Sequence, residues 1–351
     1  MGGAVAAAAE HDAAGRHDEA IDALALATQA GDLEATVSLG LRLLVGDRAP
    51  YLPNEGIRFL SDAVLAGSTE AALRLAPLAG LGAHVAQDWG HALGLLVIAA
   101  ERGSEDARGQ LRTLATRRDG SIEAGDDWRR LAESIDWRLW LAPPDGVTVH
   151  ESPLVRSFPE LVTGAVCDWL RGRALGRLRR ALIYDPGEGG NVADHMRTNS
   201  LAGFDLADVD LVQVALQHRM AAACGVPVQN TEGPTILRYS PGEQITNHFD
   251  FVNPRLHGYE QHVEQRGERI ITFLVYLNDD YEGGETDFPR VGVRHRGHRR
   301  EGLFFTNALP SGKPDYRMVH AGLPPLSGEK WIVSQFFRSR TALNTRAENV
   351  G

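Results

Sequence analysis

The segment Ile245–Phe251, "ITNHFDF", decides how the rest of the chain is read. His248 and Asp250 stand two apart. An extended strand has a side-chain period of two, so the spacing predicts that both project from one face. An imidazole beside a carboxylate can hold a divalent cation, and one more His would complete the two-His, one-carboxylate set suited to non-heme iron. With 13 His in 351 residues, an H-x-D tripeptide arises by chance about once, so the context of the motif has to carry the reading.

That context is a series of short aliphatic and aromatic runs. "GPTILRYS" (Gly233–Ser240), "RIITFLVYLND" (Arg269–Asp279), "GLFFTNAL" (Gly302–Leu309), "YRMVHAG" (Tyr316–Gly322) and "KWIVSQFF" (Lys330–Phe337) are separated by Gly/Pro clusters such as "YEGGETDFP" and "GLPPLSG". Runs of this length bounded by turn residues predict an all-β sandwich or barrel. Upstream, Leu154–Leu182 reads as a short strand and then a helix, and Leu206–Gly225 as a second helix.

The first third has a different texture. "AGDLEA" from Ala30, "AGSTEA" from Ala66 and "RGSEDA" from Arg102 repeat one turn, with Gly31, Gly67 and Gly103 each 36 residues apart. The helical stretches before these turns align as well, from Glu19, Glu55 and His91. A fixed period of this size marks stacked helical hairpins, none of which buries its apolar face alone. The glycine ends one helix and the polar residue after it starts the next. These repeats resemble the Sel1-like, tetratricopeptide-related family over roughly Glu19–Ala115. "DWRRLAESIDWRLWLA" (Asp127–Ala142) reads as one further helix, and "PPDG" (Pro143–Gly146) as a boundary turn.

Composition narrows the function. A net charge of -10 argues against nucleic acid as the main partner, because phosphate binding needs a basic footprint. Two cysteines, Cys167 and Cys224, are too few for a disulfide framework and suit a reducing compartment. The N-terminal stretch lacks the basic start of a secretory signal, and no run of about 18 apolar residues occurs. The expected location is the cytoplasm, with no membrane span.

A third ligand candidate is His320, 70 residues after Asp250, and Lys330 follows ten residues later beyond a Pro/Gly turn. Together, "RTNS" (Arg197–Ser200), "LRYSPGEQITNHFD", "RIITFLVYLNDDYEGGETDFP" and "VHAGLPPLSGEKW" resemble the prolyl 4-hydroxylase branch of the 2-oxoglutarate/Fe(II)-dependent dioxygenases, over roughly Pro153–Ser339. The resemblance implies an α+β chain in which a repeat solenoid precedes a double-stranded β-helix, or jelly roll, with flanking helices. It implies that His248, Asp250 and His320 bind Fe(II), that Lys330 pairs with the distal carboxylate of 2-oxoglutarate, and that Tyr239 donates a hydrogen bond to the same co-substrate. It further implies hydroxylation with release of succinate and CO2, sustained by ascorbate as reductant. Residues 1–120 are then the repeats, 121–146 a linker helix and turn, 147–341 the dioxygenase domain and 342–351 a tail.

Other residues have weaker functional readings. Arg269 is an alternative carboxylate partner. His257 and His262 would join the ligand set only if their loop folded back. That loop and Tyr184–Met196 read as lids over the substrate. "GGET" (Gly283–Thr286) reads as a tight turn, since no helix or Walker lysine follows it. The basic run Arg294–Arg300 reads as a solvated turn. The substrate is expected to be a prolyl or similar side chain, and the repeats offer a surface on which a polypeptide substrate would dock. Hydroxylation of a free amino acid or other small molecule is the alternative within this chemistry. A non-catalytic repeat adaptor with a degenerate jelly roll is the alternative outside it.

Overall fold

The computed structural model describes residues 3–341 apart from 124, 126, 143, 186–189, 193–195 and 256–257. The helices are α1 (Gly3–Ala13), α2 (His17–Gln29), α3 (Leu33–Val45), α4 (Pro53–Leu65), α5 (Thr69–Leu81), α6 (Trp89–Glu101), α7 (Glu105–Ala115), α8 (Trp128–Glu133), α9 (Trp137–Leu141), α10 (Gly164–Leu175), α11 (Leu211–Cys224) and α12 (Tyr259–Arg266). None is long and apolar enough to cross a membrane.

Three hairpins, α2–α3, α4–α5 and α6–α7, share one turn chemistry. Gly31, Gly67 and Gly103 take φ of 85°, 104° and 95°, a region costly for any residue with a Cβ. The next side chains, Asp32, Ser68 and Ser104, accept hydrogen bonds from the amides of Ala35, Ala71 and Ala107 at 3.1–3.2 Å. Each satisfies an otherwise orphaned N–H at the start of the second helix. The stretch Trp128–Leu141 is broken, contrary to its reading as one helix. The Asp136 carboxylate accepts from the Arg138 amide at 2.9 Å and so starts a new helix there.

The strands are β1 (Val147–His150), β2 (Val155–Phe158), β3 (Arg179–Arg180), β4 (Ile183–Asp185), β5 (Gly190–Val192), β6 (Ser200–Gly203), β7 (Thr235–Tyr239), β8 (Ile245–His248), β9 (Arg269–Tyr276), β10 (Glu282–Gly283), β11 (Thr286–Phe288), β12 (Val293–His295), β13 (Gly302–Thr306), β14 (His320–Gly322), β15 (Pro325–Ser327) and β16 (Lys330–Arg338). An antiparallel eight-stranded sheet runs β1-β2-β13-β9-β16-β7-β6-β3, and a four-stranded sheet runs β12-β11-β14-β8. Leu237, Leu274, Leu303, Phe305 and Ile332 of the large sheet share a buried cluster with Phe288 of the small one. The two sheets therefore pack face to face as a jelly roll. "YRMVHAG" is only partly strand: Tyr316–Met318 is a 3-10 turn, and the strand begins at His320. The segment after Asp250 is not wholly loop, since α12 forms between Gly258 and Gly267.

Alternation sends the other side chains of the large sheet outward. Ile271, Phe273, Val275, Val333 and Phe337 pack against Leu211, Val214, Ala215 and Met220 of α11 in a core that continues into Leu78, Leu96 and Leu111 of the repeats. Contacts between solenoid and jelly roll are intimate. A Cβ at Gly80 of α5 would fall 2.8 Å from the Leu211 side chain, and one at Gly109 of α7 would fall 2.4 Å from the Trp169 ring of α10. The Gln110 side chain accepts from the Leu211 amide at 2.9 Å, and Arg74 donates to the Ala207 carbonyl at 2.8 Å. The layers run solenoid, helix pair, large sheet, small sheet.

Candidate metal centre and co-substrate pocket

Strands β8 and β14 pair antiparallel with His248 directly opposite His320. The ring centroids are 4.3 Å apart. Strand β8 ends at His248, so Asp250 lies just beyond it and is not placed by strand alternation. One ligand atom from each of His248, Asp250 and His320 falls within 4.8 Å of the others. The Nδ1 atoms of His248 and His320 lie 2.8 Å and 3.0 Å from the carbonyls of Thr246 and Met318. A carbonyl only accepts, so Nδ1 carries the hydrogen and each neutral ring presents an Nε2 lone pair to the centre. His320 Nε2 then sits 3.1 Å from Asp250 Oδ2, and His248 Nε2 sits 3.4 Å from Oδ1. Electron-rich atoms this close need a cation between them, either a proton or a metal. Burial opposes charge at Asp250, yet the two imidazoles hold its carboxyl well below the usual range. Burial likewise opposes charge at His320, and Asp250 outweighs it and raises the imidazole. Two imidazoles, one carboxylate and no thiolate fit iron, with open positions left over.

Deeper between the sheets lies Lys330, only 1% exposed. Its ammonium donates to the Gly284 carbonyl at 2.7 Å and lies 5.4 Å and 5.6 Å from the ring centroids of Tyr239 and Tyr276. Burial pushes it down to about 7, with only the more distant Glu285 pulling upward. A buried cation whose hydrogen-bond partner is a neutral carbonyl suits an incoming carboxylate. Burial raises the Tyr239 phenol to about 12, so it stays a donor. Tyr276 Oη and Thr286 Oγ1 are 3.1 Å apart in the same buried space. Neither was singled out from the sequence. The signal lay in the strand period, which puts Thr272, Leu274 and Tyr276 on one face of β9, and in Thr286 closing "GGET".

Other candidates lie elsewhere. Arg269 is held bidentately by Glu232 at 2.7 and 2.8 Å, and Arg338 shares the same carboxylate at 2.7 Å. His262 sits 3.3 Å from Arg338 Nη1, on α12. His257, most of the inner part of Tyr184–Met196 and residues 342–351 lie outside the described residues. The basic run is tied to the chain itself: Arg294 to Asp287, Arg296 to the Asp279 carbonyl and Arg299 to Asp168, at 2.8–3.0 Å. Gly297 in that run lies against the Tyr276 ring, where a Cβ would fall 2.1 Å from Cδ2.

Residues 234–338 match the 2OG-Fe(II) oxygenase superfamily. The C-terminal domain is a 2OG-Fe(II) oxygenase. It is similar to curated prolyl 4-hydroxylases. The chain is 28% identical over 226 residues to a probable prolyl 4-hydroxylase 9 of Arabidopsis thaliana, covering 56% of this chain and 77% of that protein. Among solved structures, a 2OG complex of the viral collagen prolyl hydroxylase of Paramecium Bursaria Chlorella virus-1 aligns with a TM-score of 0.41 at 23% identity, over 53% of this chain and 96% of that one. A Sel1 repeat protein from Oxalobacter formigenes aligns with a TM-score of 0.32 at 19% identity, over 50% and 64% of the two chains. The family match and the His248–Asp250–His320 cluster support a 2-oxoglutarate-dependent dioxygenase with Fe(II) as metal and 2-oxoglutarate as co-substrate, ascorbate being the reductant typical of prolyl 4-hydroxylases.

Proposed function

We propose that this oxygenase hydroxylates a prolyl or similar side chain of a polypeptide, with succinate and CO2 as co-products. The observation that carries the reading is the pairing of the His248–Asp250–His320 cluster with the buried, carboxylate-seeking Lys330. His248, Asp250 and His320 would hold Fe(II), which supplies the electrons that activate O2 and leaves positions free for the keto-acid. The residues of the chain do the rest. The carbonyls of Thr246 and Met318 aim the two imidazoles. Lys330 anchors the distal carboxylate, with Tyr239 and Thr286 offering hydroxyls beside it. The aliphatic and aromatic walls between the sheets exclude water. Phe249 and Phe251 flank Asp250 and pack on half-exposed Tyr316, with centroids 4.7–5.4 Å apart. Such rings suit the apolar ring of a prolyl residue.

A second reading, hydroxylation of a free amino acid or other small molecule, is favoured by one observation. Helices α5 and α7 pack on α11 and α10, so part of the solenoid serves the catalytic fold itself. A docked polypeptide would use the hairpins nearer the N-terminus. Incubation with proline-rich peptides, free proline, Fe(II), 2-oxoglutarate and ascorbate separates these readings by mass spectrometry. A gain of one oxygen on a peptide, matched by succinate and lost in His248→Ala, is the expected result. Modification of free proline alone would favour the second reading. Succinate no higher than in His248→Ala under every condition would point to an adaptor.

A further inference from the structure

Behind the ligand cluster, Thr272 of β9 donates to Asp250 Oδ2 at 2.7 Å, and Asn307, just past β13, reaches Thr272 Oγ1 at 2.8 Å. Thr272 and Asn307 are each 1% exposed. The direction of this relay is settled by chemistry. An ionised carboxylate only accepts, so the single hydroxyl hydrogen of Thr272 goes to Asp250. The Asn307 side chain must then offer its NH2 to the hydroxyl, which leaves its own Oδ1 buried without a partner among the described residues. An orphaned amide oxygen is a standing penalty. Asn307 is fixed by its backbone: its amide donates to the Ile270 carbonyl at 2.7 Å, and its carbonyl accepts from the Asp315 amide at 2.9 Å. The relay thus joins β9, the end of β13 and the segment leading to His320.

We propose that Thr272, aimed by Asn307, is a positioning residue that keeps Asp250 a one-oxygen ligand. This rests on the reading that His248, Asp250 and His320 hold the metal. A free carboxylate can grip a cation through both oxygens, and that mode would consume a fourth position on a six-coordinate ion. The keto-acid needs two positions and O2 needs one, so only single-oxygen ligation leaves room for both. Both oxygens face the cluster, Oδ2 3.1 Å from His320 Nε2 and Oδ1 3.4 Å from His248 Nε2; the Thr272 hydroxyl takes up a lone pair of Oδ2 and fixes the carboxylate plane, which leaves Oδ1 the better donor.

The test uses the full-length protein loaded with Co(II), whose visible spectrum reports coordination without turnover. The near-isosteric Thr272→Val should change the visible band and weaken 2-oxoglutarate binding to the loaded protein by about tenfold, while Co(II) is still held. Thr272→Ser, which restores the hydroxyl, should recover the parent spectrum and affinity. Asn307→Ala, which frees the hydroxyl to rotate, should shift both readouts in the same direction by a smaller factor, and it carries the test should Thr272→Val not fold. A Thr272→Val or Asn307→Ala protein with the parent's Co(II) spectrum and 2-oxoglutarate affinity would overturn the proposal, leaving Thr272 a packing residue. A parent protein that takes up no Co(II), with His248→Ala behaving identically, would overturn the metal-site reading itself and this proposal with it.

Discussion

Replacing Lys330 with Met should make the protein more stable and weaken its hold on 2-oxoglutarate. Burial takes this ammonium from its ordinary 10.5 down to about 7, and each tenfold in proton affinity is worth about 1.4 kcal/mol. Housing the amine therefore costs on the order of 4 kcal/mol at neutral pH. Met fills similar space without the charge. It also strands the Gly284 carbonyl that Lys330 binds at 2.7 Å, a loss of about 1–3 kcal/mol. A net gain of roughly 1–3 kcal/mol remains for the ligand-free protein. The sign follows from linkage. The folded-state value lies below the unfolded one, so the unfolded chain binds more protons between them and stability rises with pH across that window. The penalty is full below about 7 and gone near 10.5, so the advantage of Met should shrink as pH rises. Binding 2-oxoglutarate to the parent should take up a proton above pH 7, so its affinity should fall with rising pH there. Urea unfolding of both proteins at several pH values, with and without 2-oxoglutarate and Mn(II), reads all of this. A Lys330→Met protein destabilised at pH 7, and stabilised by 2-oxoglutarate as much as the parent, would refute the reasoning.

Further expectations follow from other parts of the structure. In Lys330→Ala the apparent KM for 2-oxoglutarate should rise by about one to two orders of magnitude, the worth of a charge-assisted hydrogen bond, with metal affinity nearly unchanged; equilibrium dialysis with Mn(II) checks the second half. Glu232 is held down to about 2 by Arg269 and Arg338, against burial, so its contribution to stability is present above its unfolded value and lost as pH falls toward 2. Glu232→Gln should cost about 3 kcal/mol at pH 7, read by urea unfolding, because buried Arg338 and half-buried Arg269 lose their shared counter-charge. Truncation to Val147–Gly351 should yield an aggregating chain without a sharp melt, because the outer face of α11 packs on the repeats; a monomeric fragment with a cooperative melt would show the solenoid to be dispensable. Asp32→Ala, Ser68→Ala and Ser104→Ala should each cost about 1 kcal/mol by thermal unfolding.

What was legible in the sequence was whatever a local rule governs. The 36-residue spacing of Gly31, Gly67 and Gly103 specifies turns in which a left-handed glycine and a polar cap recur, and these are the turns found. The five aliphatic runs correspond to β7, β9, β13, β14 and β16, with the fourth shortened by a 3-10 turn. Local competition caused two of the misreadings. Asp136 caps a new helix where the sequence reads as one continuous helix, and "YEQHVEQR" has helix formers enough to form a helix within the segment read as a lid loop. The rest was hidden because it depends on pairs far apart in the chain. Nothing near Gln110 announces Leu211, and nothing near Asn307 announces Thr272. Hydroxyls and amides are also too common for composition to single out those facing a metal.

The large sheet has two clients. Along β9 and β16 the alternation of side chains turns Thr272, Tyr276 and Lys330 toward the candidate pocket and Val275, Val333 and Phe337 toward the helices. Any displacement of a strand is therefore felt on both sides at once, since the backbone between them is common property. A Cβ at Gly80 would meet Leu211, Val214 and Trp89, far from any ligand atom in sequence, yet a methyl group there presses on the helix that backs these strands. Selection for altered keto-acid affinity need not act on the pocket walls. It has targets in the repeats, where substitutions leave every reacting surface intact and retune the spacing behind it.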